Sequence, residues 1–185
     1  MHYCCLVITK EFPTDAVLEK ALNPFREETA ENYPAFTWDW YQVGGRYNGS
    51  LKLKVDDTDE KYRWNFYTKP YRNGRLFRSY LLTKMEEFSK GSFMYSEEDY
   101  FRSMGSRENF LFIDGGYIPD LLNFESVECF CCLDKDGNAY SRERWTENGF
   151  EKNDKFDEQL KAVKDNSKDC YACIVDLHAN HLLTN

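Results

Sequence analysis

The chain has 185 residues, a formal net charge of −8 and a mean hydropathy of −0.72. That length fits one domain, and 42% hydrophobic residues are enough for a core, which excludes wholesale disorder. The acidic surplus argues against non-specific binding of DNA or membrane by the surface as a whole. Seven cysteines, an odd number, with no export-type segment ahead of them, predict free thiols in a reducing cytosol.

In chain order, Tyr3–Thr9 is a continuous apolar run of strand length and predicts a central strand buried on both faces. Pro13-Thr14 opens a helix with Thr14 as N-cap, and Val17, Leu18, Ala21 and Leu22 form its apolar stripe. Asn23-Pro24 ends it, because proline disfavours helix in the residue before it. Phe36–Val43 alternates as a strand, with Phe36, Trp38 and Trp40 on one side and Thr37, Asp39 and Tyr41 on the other. Gly44-Gly45 permits positive φ, and Ser50–Val55 alternates again, so 36–55 predicts a hairpin. Tyr62, Trp64 and Phe66 predict a strand. Leu76, Phe77, Tyr80, Leu81, Met85 and Phe88 carry helical spacing, with Gly91 as C-cap, and Ser96–Asp99 resembles a capping box.

Phe110–Ile113 reads as a short strand ended by Asp114-Gly115-Gly116. Val127–Leu133 and Ala139-Tyr140 flank Asp134–Asn138, a hairpin turning on Asp-Gly. This turn lacks the glycine position and closing glutamate of a calcium loop. Asp154 caps a helix with Phe156, Leu160 and Val163 on one face, and Cys170–His178 is a last apolar strand. The expectation is a single α+β domain over 1–185. Its sheet is mostly antiparallel with helices packed on one face, ferredoxin-like in spirit, and a helical insertion falls at about 70–106.

Several constellations invite chemistry. Cys170 and Cys173, with His178 and His181, are zinc candidates, yet a strand start would send the two thiols opposite ways, and buried inert thiols are the competing reading. No local signature marks a catalytic cysteine, and no cofactor is implied. Asp176 and His178 share a strand face at i, i+2, the spacing of a carboxylate that orients an imidazole, so they are the catalytic candidates. Asp39 or Asp114 would complete a divalent-metal site if their strands were adjacent. Gly44-Gly45-Arg46 invites a phosphate, since backbone N–H groups and an arginine fork suit its oxygens, but the spacing is not that of a P-loop.

Residues 61–90 hold eight bases against two acids. Lys69, Tyr71, Arg72, Arg75 and Arg78 there form a basic-aromatic band suited to nucleic acid, or else a solvated face. Asp56, Asp57, Asp59 and Glu60, with Glu147 and Glu151, are acidic candidates for partner contact.

Trp38-Asp39-Trp40-Tyr41-Gln42-Val43-Gly44-Gly45-Arg46-Tyr47, with the closing Ile174-Val175-Asp176-Leu177-His178, resembles small proteins encoded by bacteriophages and mobile elements. Their motif runs W-D-W-Y-x-[IV]-G-G-R-[WY], and Tyr47 stands where such proteins often carry tryptophan. The likeness covers the first strand, the aromatic segment and the last third. It implies a phage-type protein of the host cytosol and carries no activity.

Charge and resemblance together predict a non-catalytic acidic binding protein, in its concrete form an anti-CRISPR-like counter-defence inhibitor of a host nuclease or other nucleic-acid enzyme. The alternative is a nucleotide- or nucleic-acid-binding or processing domain centred on Arg46, Asp176 and His178 and the 61–90 band. No membrane partner is expected.

Overall fold

The computed structural model describes residues 1–30, 34–54, 62–70, 76–84 and 110–180. The last long strand organises them. Tyr171–His178 (β12) and His2–Thr9 (β1) pair antiparallel in full register, from His2 opposite His178 to Thr9 opposite Tyr171. Their central residues, 4–8 and 172–175, are apolar and buried on both faces, as Val, Ile, Leu and Cys runs dictate, and polar His2, Asp176 and His178 lie towards one end of the pair.

The other strands follow as β2 (Trp40–Val43), β3 (Leu51–Lys54), β4 (Tyr62–Pro70), β5 (Leu76–Lys84), β6 (Phe110–Ile113), β7 (Gly115–Tyr117), β8 (Cys131–Leu133), β9 (Ala139–Ser141), β10 (Glu143–Thr146) and β11 (Gly149–Lys152). Among the described residues the main sheet runs β4-β5-β7-β12-β1-β8-β9, with β2 also on β12. It is mostly antiparallel, as expected, with parallel joints only at β1–β8 and β5–β7. β3–β6 and β10–β11 are separate two-stranded pairs.

Helix α1 (Asp15–Leu22) starts at Thr14, whose hydroxyl accepts from the Val17 N–H, and buries Leu18 and Leu22. Helix α2 (Phe156–Asp165) buries Phe156, Leu160 and Val163. Its N-cap is Lys155, with no side-chain cap, so Asp154 does not serve there. The expectation that both helices share a face is overturned. Leu18 and Leu22 pack with Tyr3, Cys5 and Val7, whereas Phe156, Leu160 and Val163 pack with Cys4, Leu6 and Ile8. Because successive strand residues face opposite ways, each helix covers its own side of β1.

The 36–55 hairpin does not form. β2 pairs with β12 and β3 with β6, so the two segments share the double-glycine turn without pairing to each other. Phe36–Asp39 is not strand either. The Trp38 indole N–H donates to the Leu22 carbonyl at 2.8 Å, and the Tyr3 hydroxyl donates to the Thr37 carbonyl at 2.7 Å. These bonds lay the segment over the end of α1. The alternation slips there: Phe36 and Trp38 join Tyr41 and Val43 in the α1-side core, and Trp40 turns to the other side.

The helix expected from Leu76 is strand β5, paired with β4 from Tyr62 opposite Lys84 to Pro70 opposite Leu76. Nine consecutive partners outweigh a helical spacing of apolar residues, which short runs cannot distinguish from a strand. The rest of the supposed insertion lies outside the described residues. The 134–138 turn is closed by Asp134 itself, whose carboxylate accepts from the N–H groups of Asp136 and Asn138 and from the Asn138 amide. Among the described residues no helix is long and apolar enough to cross a membrane.

Candidate functional site at the double glycine

The site begins with a break in the sheet. Along one edge of β12, β7 pairs with Tyr171–Cys173 and β2 with Val175–His178. The two short strands meet end to end at Ile174, whose N–H donates to the Asp114 carbonyl at 2.7 Å and whose carbonyl accepts from the Gly44 N–H at 2.8 Å. Asp114 and the double glycine fill the junction.

Two carboxylates are buried there, Asp114 with no exposure and Asp176 with 2%. An Asp114 oxygen, Oδ1, accepts from the Gly49 N–H at 2.7 Å. Asp176 Oδ2 accepts from the Arg46 N–H at 3.0 Å, and its Oδ1 faces His2 Nδ1 at 2.9 Å. Backbone N–H groups in a glycine-rich turn make an anion-binding concavity. Here the protein's own carboxylates take those donors, and the phosphate reading of Gly44-Gly45-Arg46 fails as far as its backbone is concerned.

The glycines are obligatory for the same reason. Both adopt left-handed backbone, φ +67° at Gly44 and +53° at Gly45. A Cβ on Gly44 would overlap the Asp114 carboxylate, and one on Gly45 would overlap Asp176. Positive φ and close approach therefore both demand glycine.

Beyond Asp176 lies a second carboxylate–imidazole pair. His178 Nδ1 meets Asp39 Oδ1 at 2.5 Å, and the other Asp39 oxygen accepts from the Asn180 amide at 2.5 Å. Asn180 is fixed in turn by its N–H on Glu27 Oε1 at 2.8 Å. A carboxylate only accepts, so each histidine presents Nδ1–H to its aspartate. His2 and His178 are register partners, and their rings lie 4.9 Å apart. Trp40 stacks on His178 at 5.0 Å and meets His2 edge-on at 5.2 Å. Two of the chain's three histidines thus share one aromatic cluster.

His2 and Tyr47 also line a cleft of about 1040 Å³, together with Cys4, Cys129, Arg142 and Lys164. Its charges are largely committed. Lys164 donates to the Glu125 and Val127 carbonyls at 2.9 and 2.8 Å, Arg142 pairs with Asp157 at 3.0 Å, and burial pushes the Lys164 ammonium down. Burial, followed by the nearby Asp176 charge, raises the Tyr47 phenol, whose hydroxyl donates to the His2 carbonyl at 3.4 Å.

Of the sequence candidates, Asp176 and His178 do share a face, but each has a separate partner, His2 and Asp39. Asp39 joins His178 while Asp114 stays at the Gly44 junction. Among the described residues no three His, Cys, Asp or Glu side chains converge as a metal ion would require. Cys170 belongs to the α2-side core and Cys173 to the α1-side core, so the zinc set with His178 does not assemble, and His181 lies outside the described residues. All seven thiols are buried. Burial pushes Cys4 up to about 12 and raises Cys131, the state of inert packing groups.

In the basic band, Lys69 sits on β4 and Arg78 on β5, opposite Thr68, while Tyr71, Arg72 and Arg75 lie outside the described residues, as do Asp56, Asp57, Asp59 and Glu60. Glu147 is exposed between β10 and β11, and Glu151 binds Arg144 at 3.3 Å and the Thr146 hydroxyl at 3.2 Å. Sequence reasoning missed His2, Gly49 and Asn180. The available signal for His2 was that two eight-residue apolar strands at the chain's ends pair well in antiparallel register, which brings residue 2 to residue 178. Compared with family models, curated proteins and solved structures, the chain matches none.

Proposed function

We propose that the chain is a non-catalytic binding protein of phage type that acts in the host cytosol by occupying a host protein. The supporting observation is the employment of its carboxylates. Asp114 and Asp176, the groups a hydrolytic or metal-dependent reaction would need, are buried and taken by backbone N–H groups and His2. They hold a loop instead of facing a substrate.

The contact surface in this reading is the β10–β11 hairpin and the start of α2. Phe150 is 57% exposed at the hairpin, and Glu143, Glu147, Asp154, Asp157 and Glu158 are exposed acids of the same stretch, Asp154 and Asp157 being paired with Lys152 and Arg142. An exposed ring amid negative charge suits a basic groove, and acidic groups carry the sign of phosphates. A nuclease or other nucleic-acid enzyme is therefore the partner class, and counter-defence in the manner of an anti-CRISPR is the biological form we assign. The basic composition of residues 61–90 makes that stretch a further candidate for contact with nucleic acid.

The test is inhibition. Added at stoichiometric concentration to the host's purified nucleic-acid-cleaving enzymes, the protein is expected to stop cleavage by one of them. Glu147→Lys with Phe150→Ala is expected to restore cleavage without lowering the melting temperature. Uninhibited cleavage by every such enzyme contradicts the reading.

A further inference from the structure

The chain carries three Asn-Gly steps, Asn48-Gly49, Asn73-Gly74 and Asn148-Gly149, of which Asn73-Gly74 lies outside the described residues. Such a step is open to a reaction of its own. The glycine backbone nitrogen attacks the asparagine carboxamide carbon, because no side chain crowds it. The new C–N bond closes a five-membered succinimide, and ammonia leaves. Water then opens the ring at either carbonyl, which yields aspartate or isoaspartate. The nitrogen must first give up its proton, so whatever holds that N–H governs the rate.

Both described steps have an exposed asparagine and a left-handed glycine, φ +75° at Gly49 and +104° at Gly149. Exposure does not separate them; the glycine nitrogen does. The Gly49 N–H donates at 2.7 Å to Oδ1 of Asp114, a carboxylate with no exposure. Removing that proton would set a second negative charge against a buried one. Asn48 is also held at ψ 134°, and ring closure needs a large rotation about that Cα–C bond, which swings Gly49 off Asp114. Among the described residues no carboxylate holds the Gly149 N–H. Gly149 stands on the end rung of β10–β11, opposite Thr146, and this ribbon is a separate two-stranded pair. Two-stranded ribbons are marginal alone, and their end rungs open first. A Cβ on Gly149 would meet nothing within 4 Å, so the tip has open space around it. The turn's bonds run from the Asn148 N–H to the Thr146 hydroxyl at 3.2 Å and from that hydroxyl to the Gly149 carbonyl at 3.0 Å. They leave the Asn148 carboxamide without a partner among the described residues.

We propose that Asn148 is a site of spontaneous modification, converted to aspartate and isoaspartate in the folded protein while Asn48 is spared. The reaction consumes only water and releases only ammonia. Either product places a carboxylate next to Glu147 and two residues from Phe150. Isoaspartate also routes the main chain through its side chain, which lengthens the tip by one methylene. That extra atom disturbs the pairing of Thr146 with Gly149 and of Trp145 with Phe150. The effect on a partner rests on the contact reading given above; the chemistry does not.

Incubation at mildly alkaline pH, in buffer and in guanidinium chloride, followed by peptide mapping with mass spectrometry and isoaspartate-specific methylation, tests the chemistry alone. Unfolded, Asn48 and Asn148 are expected to react alike, since glycine follows each. Folded, Asn148 is expected to stay within about threefold of its unfolded rate and Asn48 to slow by more than about tenfold. Asn148→Gln, at an exposed position, is expected to remove the change at 148 and to leave the Asn48 rate and the melting temperature as they were, because glutamine would have to close a larger ring. Equal protection of the two steps, faster reaction at Asn48, or an unconverted Asn148 in the folded sample after the unfolded one has reacted would each overturn the proposal.

Discussion

One strand carries two chemistries. Cys170 immediately precedes β12 and Cys173 lies in its first half, and its end brings Asp176 and His178; in the sequence both pairs look reactive. The structure separates them by parity. Cys170 and Cys173 differ by an odd step and fall into the cores on opposite sides of the sheet. Asp176 and His178 differ by an even step and share a face, with His2 and Trp40 both opposite His178 and Cys4 and Gln42 opposite Asp176. Side chains alternate along a strand, so an odd spacing disperses a constellation and an even one gathers it. The gathered end is where the sheet is broken and polar, and the dispersed end is where it is continuous and dry.

The sharpest way to break that contrast is to remove the carboxylate of the polar end. Asp176→Ala strips His2 Nδ1 and the Arg46 N–H of their shared acceptor, and a loss of about 3 kcal/mol in unfolding free energy is expected by denaturant titration. A change below about 0.5 kcal/mol would mean that the loop is held by something else. At the dry end, Cys173→Ser puts a hydroxyl into an apolar face and is expected to cost about 2 kcal/mol in the same assay. A neutral outcome would remove the packing role given to that thiol.

Smaller, and graded by pH, is the thiols' contribution to stability. Burial raises Cys4 from its ordinary value of 9.0 to about 12, and burial raises Cys129, Cys132 and Cys173 in the same direction. A folded value above the unfolded one means that the stabilisation is complete below about pH 9 and is lost as pH climbs towards about 12. The melting temperature is therefore expected to hold through neutral pH and to fall steadily above about pH 9, with disulfide-exchange reagents reacting only after unfolding. Rapid labelling of the folded protein at neutral pH would contradict the inert reading.

Much of the fold was legible because its signals were long or chemically pointed. The apolar runs of β1 and β12, the Thr14 cap, the faces of both helices and the Asp134–Asn138 turn follow from local pattern alone. The two misread segments share one cause, pairing at a distance. Leu76–Lys84 reads helical until β4 is laid beside it, and Phe36–Val43 reads as half a hairpin until β12 and the end of α1 compete for it. At the site, Asp176, His178, Asp39, Asp114 and Arg46 were all named as candidates. Their relations were hidden, because a buried carboxylate and a catalytic one look the same in sequence. His2 was missed because its role exists only through register with His178.

The central claim is that the double glycine is shaped by the carboxylates pressed against it, and a double-mutant cycle between Gly44 and Asp114 measures this directly. Gly44→Ala alone should destabilise by about 3 kcal/mol, from left-handed strain together with overlap of the new Cβ on the carboxylate. In an Asp114→Ala background the overlap is gone and only the strain is left, so the same change should cost less, with a coupling of at least about 1 kcal/mol. Strictly additive costs would contradict the account.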